Sequence, residues 1–429
     1  MQSDTSSFVQ RVRRRVRQTS QESQSPRRHR RFRRLPPAIT PITARDLVAG
    51  IAGYRRGTGR EAFQREIGST LGADSTATYT SFRRALGACL GTMAEAARGD
   101  ETDILIPAFC SSDYPDAIEG AGLTASRYDI DPESLSLDMD SLAALPTENA
   151  LAVVVINVLG YGSEMDRIAA YCREHDIYLI EALGYAYGAS YDSDHLGTFG
   201  DCSVLNFQQG KPIPIGGGMV VSRNSELQFS DEGRPAVDPN IGTMAGYAAL
   251  SHPRPYACYS LATRWLEKLD AAPEDVSTHP ESKFGVPYEP PFATLSNFHG
   301  TVGRRVLDHL PEHRRQRAET AEVYATELAD CPHVRQLQPV AGLSNHQHVR
   351  YPLVVDDIEI RAEIRDGLAA VGVETAVLYD WPPLSADEFP GAAQLQDEIV
   401  TLPTHPYVDA ADRQLIVDTV RDIAVSVGG

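Results

Sequence analysis

The chain has 429 residues, of which 42% are hydrophobic, so it can bury a substantial core in two or three structural units. It contains no apolar run of about 18 residues, which excludes a transmembrane helix of ordinary length. Its formal net charge of −18 does not favour binding to nucleic acid, and only three of its 40 lysine and arginine residues are lysine.

An arginine-rich segment precedes the rest of the chain. Residues 11–34 hold 11 arginines and a single acid and lack apolar periodicity, so we predict that residues 1–38 form a disordered tail. No apolar stretch follows the arginines, as a twin-arginine export signal requires, and we therefore predict a cytoplasmic protein. A tail that contacts nucleic acid, or the acidic remainder of the chain, is the alternative to a solvated extension.

The six cysteines lie far apart and form no Cys-x-x-Cys pair, so neither a disulfide framework nor a metal site is indicated. This pattern fits a reducing cytoplasm. The strongly acidic composition with almost no lysine resembles that of halophilic cytoplasmic proteins.

Short apolar runs alternate with helical segments after the tail. A helix is predicted from Ser81 to Arg98, with Ser81 or Thr80 as its N-cap. The apolar runs that follow are, in chain order, "TDILIPAF", "LTASRYDI", "ALAVVVINVLG", "IYLIEAL", "CSVLNF" and "GGMVVSR". Buried strands separated by helices indicate a largely parallel sheet covered on both faces. We assign this large domain to residues 39–290.

The C-terminal part has a different pattern. A long helix is predicted from about Pro311 to Asp330, followed by the strand "HVRYPLVV", the helix "IEIRAEIRDGLAAVG" and a last helix after "LPTHPYVDAADRQ". These elements predict a smaller α/β domain with a connecting helix over residues 291–429.

Lys211 stands between a short apolar strand and three glycines, in "LNFQQGKPIPIGGGMVVSRN". The other lysines are Lys268 and Lys283. Arginine cannot lose its proton in a protein, whereas lysine can when it is desolvated. Because only a neutral amine attacks a carbonyl, Lys211 indicates covalent carbonyl chemistry. The alternative is an ordinary hairpin with a surface lysine before its turn.

The order and spacing of the elements resemble the DegT/DnrJ/StrS sugar aminotransferases, which are pyridoxal-phosphate enzymes of the aspartate aminotransferase fold, fold type I. The resemblance covers roughly residues 45–425. It is carried by the segments "SFRRALGACL", "DILIPAFCSSDYPDAIEGAG", "YDIDPESLSLD", "GYGSEMDRIAAYCREHDIYLIEALGYAYGA", "GTFGDCSVLNFQQGKPIPIGGGMVV" and "LPTHPYV". It implies a large domain with a mostly parallel seven-stranded sheet flanked by helices, a smaller C-terminal α/β domain, and a homodimer.

The resemblance also implies roles for single residues. Lys211 would bind the cofactor covalently and move a proton during turnover. Ser81, Phe82 and Arg83 open a helix at the place where the family binds the cofactor phosphate, and Asn206 stands where a phosphate-binding serine is usual. Phe82 and Arg83 replace the family's Gly-Thr, so Arg83 would bind the phosphate as a charged donor.

Other positions depart from the family. The aromatic residue that stacks on the pyridine ring aligns with Ser111, so Tyr114 or Tyr185 would cover the ring instead. The family's Asn-x-Arg, which reaches the phosphate and substrate across the dimer interface, aligns with Phe292 and Thr294, and neither can take that role.

The largest departure is at Ala182. The family has Glu-Asp at the end of this strand, and its aspartate pairs with the protonated pyridine nitrogen. Here Glu181 is retained, but Ala182 occupies the aspartate position. Our hypothesis is that Glu181 reaches the ring nitrogen in its place, which requires a break or bulge in the strand, since adjacent strand residues point to opposite faces.

The resemblance implies an aminotransferase that acts on a nucleotide-linked keto sugar with glutamate or glutamine as amino donor. The alternative is a catalytically degenerate homologue that keeps the fold and the dimer and serves as a ligand-binding or regulatory protein. A nucleic-acid-binding role of the arginine tail comes third. The intact Lys211 favours the enzyme.

Overall fold

The computed structural model describes residues 32–97, 101–267, 293–379 and 382–427. The helices of these ranges are α1 Ala44–Arg56, α2 Gly59–Leu71, α3 Phe82–Ala96, α4 Asp113–Gly120, α5 Met139–Ala143, α6 Met165–Glu174, α7 Ile241–Leu250, α8 Pro253–Glu267, α9 Asn297–Glu327, α10 Ile358–Ala370, α11 Pro390–Glu398 and α12 Ala410–Val427. The strands are β1 Ser75–Tyr79, β2 Asp103–Pro107, β3 Thr124–Tyr128, β4 Ala150–Ile156, β5 Tyr178–Ala182, β6 Ser190–Tyr191, β7 Asp194–His195, β8 Cys202–Asn206, β9 Gly218–Ser222, β10 Val334–Arg335, β11 Leu343–Ser344, β12 Arg350–Val355 and β13 Ile399–Pro403.

Seven strands form the central sheet, in the order β1-β9-β8-β5-β4-β2-β3. β9 runs antiparallel to both of its neighbours, while β8, β5, β4, β2 and β3 are parallel to one another. Every residue of β4 is buried, as expected for a strand covered on both faces. The predicted mostly parallel seven-stranded sheet is confirmed.

Side chains alternate between the two faces of this sheet. On β5 and the residue after it, Ile180 and Ala182 belong to one buried apolar cluster, and Leu179 and Leu183 belong to the other. The sheet therefore separates two cores. This alternation decides which side chains reach the cavity described below.

The C-terminal part builds a separate core around an antiparallel sheet of β10, β12 and β13. Leu353 on β12, Ile364 on α10 and Ile416 on α12 are each fully buried there. In the ranges that the structure describes, no helix is long and apolar enough to cross a membrane.

Helix α9 is longer than predicted. It begins at Asn297 and continues through Pro311, where the sequence suggested a helix start. Its N-terminal half packs Phe298 and Val302 into a core of the large domain, and its C-terminal half packs Tyr324 into the small-domain core. Burial along both halves outweighs the loss of one backbone hydrogen bond at proline, which costs about 3 kcal/mol.

The N-terminal segment packs against the protein earlier than predicted. Leu35 lies in the small-domain core, and the Arg34 Nε is 2.6 Å from Oε1 of Glu374. The predicted tail of residues 1–38 is therefore too long at its C-terminal end. The contacts of its last residues could not be predicted, because their partners lie hundreds of positions away in sequence. Residues 1–31 lie outside the described residues.

Two truncations should separate the contribution of residues 1–31 to stability from that of residues 32–35. A chain that starts at Phe32 should unfold in urea with the same free energy as the full chain. A chain that starts at Pro36 should be less stable by about 2–4 kcal/mol, because it lacks the buried Leu35 side chain and the ion pair of Arg34. Leu35→Ala in the full chain should reproduce most of that loss. Equal stability of the two truncated chains would contradict this account.

Candidate active site

A cavity opens at the carboxyl edge of the central sheet, where parallel strands of α/β proteins usually bind ligands. The loop after β2 and the start of α4 contribute Ser111, Asp113 and Tyr114 to its wall. The end of β4 contributes Ile156 and Asn157. These residues lie at or after the ends of β2 and β4, two strands that pair directly in the sheet.

The rest of the wall comes mainly from the next two strands. Ala182 and Tyr185 lie at and after the end of β5, and Asn206, Gln208 and Lys211 at and after the end of β8. The cavity holds about 390 Å³ of empty space, counting the part open to solvent. Four adjacent strand ends thus bring six of the sequence-predicted residues to one place: Ser111, Tyr114, Ala182, Tyr185, Asn206 and Lys211.

Lys211 is held in the cavity wall by its backbone. Its N–H donates to the Gln208 carbonyl at 3.2 Å, and its carbonyl accepts from the Thr40 hydroxyl at 2.7 Å. The residue is only 6% exposed, and its Nζ lies 3.4 Å from the centroid of the Tyr185 ring. It is the one lysine of the described residues, so these residues bring a single lysine amine to the cavity.

The glycines after Lys211 are needed for the turn that returns the chain to β9. Gly216 and Gly217 have φ values of 81° and 85°, in the left-handed region that favours glycine. A Cβ on Gly217 would lie 2.5 Å from the Tyr79 carbonyl oxygen, so a side chain has no room there. This turn fixes the end of β8 and with it the position of Lys211.

Three tyrosines, Tyr114, Tyr185 and Tyr379, form the aromatic part of the wall. Tyr114 is buried and packs edge-on against Phe82, with ring centroids 5.1 Å apart. Burial raises the pKa of Tyr114 well above its usual value, and the nearby Asp113 raises it further, so its hydroxyl stays neutral. Tyr114 and Tyr185 both line the cavity, so either position remains available for covering the pyridine ring.

Arg83 is not among the residues of the cavity wall. Its Nη2 lies 2.9 Å from a carboxylate oxygen of Asp113 and 3.2 Å from one of Asp116. Two acids on the first turn of α4 therefore neutralise the guanidinium that the sequence suggested as a phosphate donor. The structure does not support a phosphate contact for Arg83.

The start of helix α3 has the expected cap. Ser81 is its N-cap, and its Oγ accepts from the Arg84 N–H at 3.2 Å. Neither Ser81 nor Phe82 belongs to the cavity wall. Phe82 is buried and packs against the wall residue Tyr114. Phosphate binding by this helix start stays a prediction. Asn206 lies in the wall, where its Oδ1 accepts from the Gln208 N–H at 2.9 Å.

Glu181 points away from the cavity, so the hypothesis that it reaches the ring nitrogen is wrong. Its carboxylate accepts from the backbone N–H groups of Gly197, Phe199 and Gly200, at 2.6, 2.7 and 2.8 Å. Strand β5 continues without a break through Ala182, which pairs with Val204. The alternation of the strand therefore holds, and Glu181 lies on the opposite face from Lys211.

The surroundings of Glu181 explain why an acid is retained there. The residue is 0% exposed, and burial raises the pKa of its carboxyl, an effect that the three N–H groups oppose. The carboxylate organises the loop between β7 and β8. Its role in the fold is structural.

Thr294 takes no part in the cavity either. Its hydroxyl donates to a carboxylate oxygen of Asp231 at 2.7 Å and contacts the Thr78 hydroxyl. Phe292, the other residue at the family's Asn-x-Arg positions, lies outside the described residues. A neutral hydroxyl bonded in the interior agrees with the inference that Thr294 cannot bind phosphate across an interface.

Several wall residues were not predicted from the sequence. Asn157, Gln208, Asp113 and Tyr379 all line the cavity. Asn157 had a usable signal, because it is the polar residue that directly follows the fully apolar strand "ALAVVVI". Tyr379 had no such signal in the sequence, since it reaches the cavity from a loop of the small domain that is far away along the chain.

The residues of the cavity fit pyridoxal phosphate in most respects. Lys211 offers a primary amine, the kind of group that reacts with the aldehyde of this cofactor, and Tyr114 and Tyr185 offer apolar surface for a flat ring. Asn157 is 1% exposed, and neither polar atom of its side chain has a hydrogen-bond partner among the described residues. A buried amide without a protein partner needs water or a polar group of a ligand to satisfy it. The position of Ala182 provides no carboxylate for the ring nitrogen.

The fold, with a lysine in a cavity at the carboxyl edge of its sheet, agrees with the expected transferase fold of type I. The profile of the DegT/DnrJ/EryC1/StrS aminotransferase family matches residues 46–230 and 292–421. The chain belongs to this family, whose members are pyridoxal-phosphate-dependent enzymes.

Individual relatives agree with this assignment. The chain is 27% identical over 330 residues to a dTDP-4-dehydro-2,3,6-trideoxy-D-glucose 4-aminotransferase of Saccharopolyspora spinosa, covering 75% of this chain and 77% of that protein. The solved structure of DesI in the presence of its TDP-sugar product superimposes with a TM-score of 0.69 at 22% identity, covering 92% of this chain and 93% of that one. Helicobacter pylori PseC, an aminotransferase involved in the biosynthesis of pseudoaminic acid, gives 0.70 at 18% identity, covering 92% and 100%.

Proposed function

We propose that this protein is a pyridoxal-phosphate-dependent aminotransferase that converts a nucleotide-linked keto sugar into an amino sugar, with glutamate or glutamine as amino donor. The observation that carries the proposal is the buried amine of Lys211 at the carboxyl edge of the sheet in a chain of this family. The substrate class is supported by the S. spinosa relative, which is named for a dTDP-linked dehydro sugar, and by the TDP-sugar product of DesI.

The cofactor supplies the electron-withdrawing ring that lets the α-proton of the amino donor be removed. Lys211 would hold the cofactor and then accept and return that proton at its Nζ, as a desolvated amine can. Tyr185 lies against this amine and keeps water from one side of it. Asn206 and Ser111 present short polar side chains to the same cavity and would contact the polar edge of the cofactor.

A direct experiment uses the purified protein in concentrated KCl with pyridoxal phosphate. Addition of L-glutamate or L-glutamine should convert the bound cofactor to pyridoxamine phosphate and release one keto acid per chain, as followed by absorbance and mass spectrometry. A dTDP-linked 4-keto sugar should then restore the original spectrum. A cofactor that binds but is not converted by either donor would contradict the proposal.

The second candidate is a degenerate homologue that binds a ligand without transamination. The absence of a carboxylate at Ala182 and the engagement of Arg83 by two acids favour it. The two candidates differ in the experiment above. If wild type is inactive and Ala182→Asp converts the cofactor, the protein is a decayed aminotransferase.

We further propose a homodimer. Helix α7, "IGTMAGYAAL", carries no charged residue, yet only Met244 of it is buried in the single chain. Tyr259 and Leu261 on the following helix are exposed by 38% and 55%. An uncharged, half-buried helix followed by exposed apolar side chains is typical of an interface, and a second copy of the chain fits the obligate dimers of fold type I.

Light scattering in concentrated salt should give about twice the chain mass of 46.8 kDa. Leu261→Glu should weaken the dimer, because it replaces an exposed apolar side chain of this face with a charge. Ile358→Glu is the matched control, since Ile358 is 52% exposed on the small domain and its change should leave the mass unaltered. A wild-type monomer that still binds pyridoxal phosphate would refute the dimer.

We also place the protein in the cytoplasm. This proposal is supported by its cysteines, all six of which are free thiols.

A further inference from the structure

Asn157 is the least explained polar residue of the cavity. Its side chain is buried, and both its Nδ2 and Oδ1 atoms lack a hydrogen-bond partner in the part of the chain that the structure describes. Leaving such a group unpaired destabilises a protein, so buried amides are nearly always satisfied by protein, water or ligand. Because Asn157 lines the cavity, the missing partner would belong to what the cavity binds.

The place of Asn157 in the sheet connects it with Ala182. Ile156, the residue before Asn157, is the register partner of Ala182 across β4 and β5, and all three line the cavity. Asn157 therefore lies one residue beyond the register partner of Ala182, whose own side chain is only a methyl group.

The nearby acids are engaged elsewhere. Glu181 accepts three backbone N–H groups on the far face of the sheet, and Asp113 is paired with Arg83. Among the residues that line the cavity, Asp113 is the one carboxylate. Ala182 occupies the position of the family's aspartate. Next to it, the cavity has the neutral amide of Asn157 and, among the described residues that line it, no free acid.

We propose that Asn157 hydrogen-bonds the pyridine nitrogen of pyridoxal phosphate, with its Nδ2–H donating to the unprotonated nitrogen. The inference rests on the proposed function and deepens it. An amide carries no negative charge, so it stabilises the neutral ring and not the pyridinium. The bound cofactor would then be a weaker electron sink than one paired with a carboxylate.

The test is made on the full chain with pyridoxal phosphate labelled with ¹⁵N in the ring. In wild type, the ¹⁵N resonance of the bound cofactor should lie in the range of an unprotonated pyridine near neutral pH. Asn157→Leu, which is close in shape, should bind the cofactor about tenfold more weakly, as expected for one lost hydrogen bond. Asn157→Asp should move the resonance into the protonated range, because it adds an anion beside the nitrogen.

Gln347→Leu is the matched control. Gln347 is also a fully buried amide whose two polar atoms lack a partner among the described residues, but it is not part of the cavity wall. Its replacement should change neither the affinity for the cofactor nor the ¹⁵N resonance. Circular dichroism of each variant checks that it folds.

The outcomes separate the two proposals. If wild type forms no adduct on Lys211, the proposed function fails. If wild type binds the cofactor but its ring nitrogen is protonated, the role of Asn157 is overturned while the function stands. The same holds if Asn157→Leu binds as tightly as Gln347→Leu. Should Asn157→Asp not fold, the wild-type resonance and the affinity of Asn157→Leu decide.

Discussion

Lys211→Arg should abolish covalent binding of pyridoxal phosphate and reduce transamination by a factor of about 10⁴, the upper end of what one positioned acid–base group contributes. The guanidinium keeps its proton, so it can neither attack the aldehyde nor accept the proton of the amino donor. The side chain is similar in length and charge, and the fold should persist. The measurements are steady-state rate, absorbance of the bound cofactor and circular dichroism.

The other two lysines are the controls for this change. Lys268→Arg and Lys283→Arg should leave both cofactor binding and rate within about twofold of wild type, since the proposal assigns neither a role. Retention of a covalent adduct in Lys211→Arg, or its loss in one of the controls, would show that a different amine carries the chemistry.

Glu181→Gln should destabilise the protein by about 2–4 kcal/mol, without a direct effect on the cofactor. The carboxylate accepts from three backbone N–H groups at 2.6–2.8 Å inside the protein. A glutamine has one oxygen for these donors, and its own NH₂ group would face at least one of them. Urea unfolding measures the loss of stability, and a titration of the folded variant measures its affinity for pyridoxal phosphate.

Glu174→Gln is a suitable control, because Glu174 is exposed at the end of α6 and its neutralisation should change stability by less than about 0.5 kcal/mol. If Glu181→Gln instead weakens cofactor binding at unchanged stability, Glu181 acts at the site after all. The distances to Gly197, Phe199 and Gly200 would then describe a different state from the active one.

The sheet and the position of the cavity could be predicted from the sequence because both depend on local patterns. Buried strands such as "ALAVVVI" alternate with helices, and this pattern leaves few topologies other than a doubly covered parallel sheet. Parallel strands place their following loops at one edge, so Ser111, Tyr185 and Lys211 could be expected together. The scarcity of lysine singled out Lys211.

The features that could not be predicted are contacts between residues far apart in sequence. Nothing near Arg83 shows that Asp113 and Asp116 will fold against it, and nothing near Leu35 shows that it will be buried in the small-domain core. Helix α9 was predicted too short because proline usually marks a helix start, whereas packing of both halves carries this helix through Pro311.

The assignment of Glu181 failed for a different reason. The alternation of a strand already places it opposite to Ala182, and only an irregularity in β5 would have changed that. The strand is regular through its last residue, as its register with β8 shows. The retained acid is explained by the N–H groups of the loop from Gly197 to Gly200, which cannot be recognised from sequence as its partners.

The central claim is that Lys211 carries the cofactor. Borohydride reduction of the protein incubated with pyridoxal phosphate, followed by peptide mapping, tests it most directly. Reduction makes the bond between amine and cofactor permanent, so the labelled peptide identifies the residue. We predict a pyridoxyl group on the peptide that contains Lys211 and on no other. An adduct on Lys268 or Lys283, or no adduct, would contradict the account.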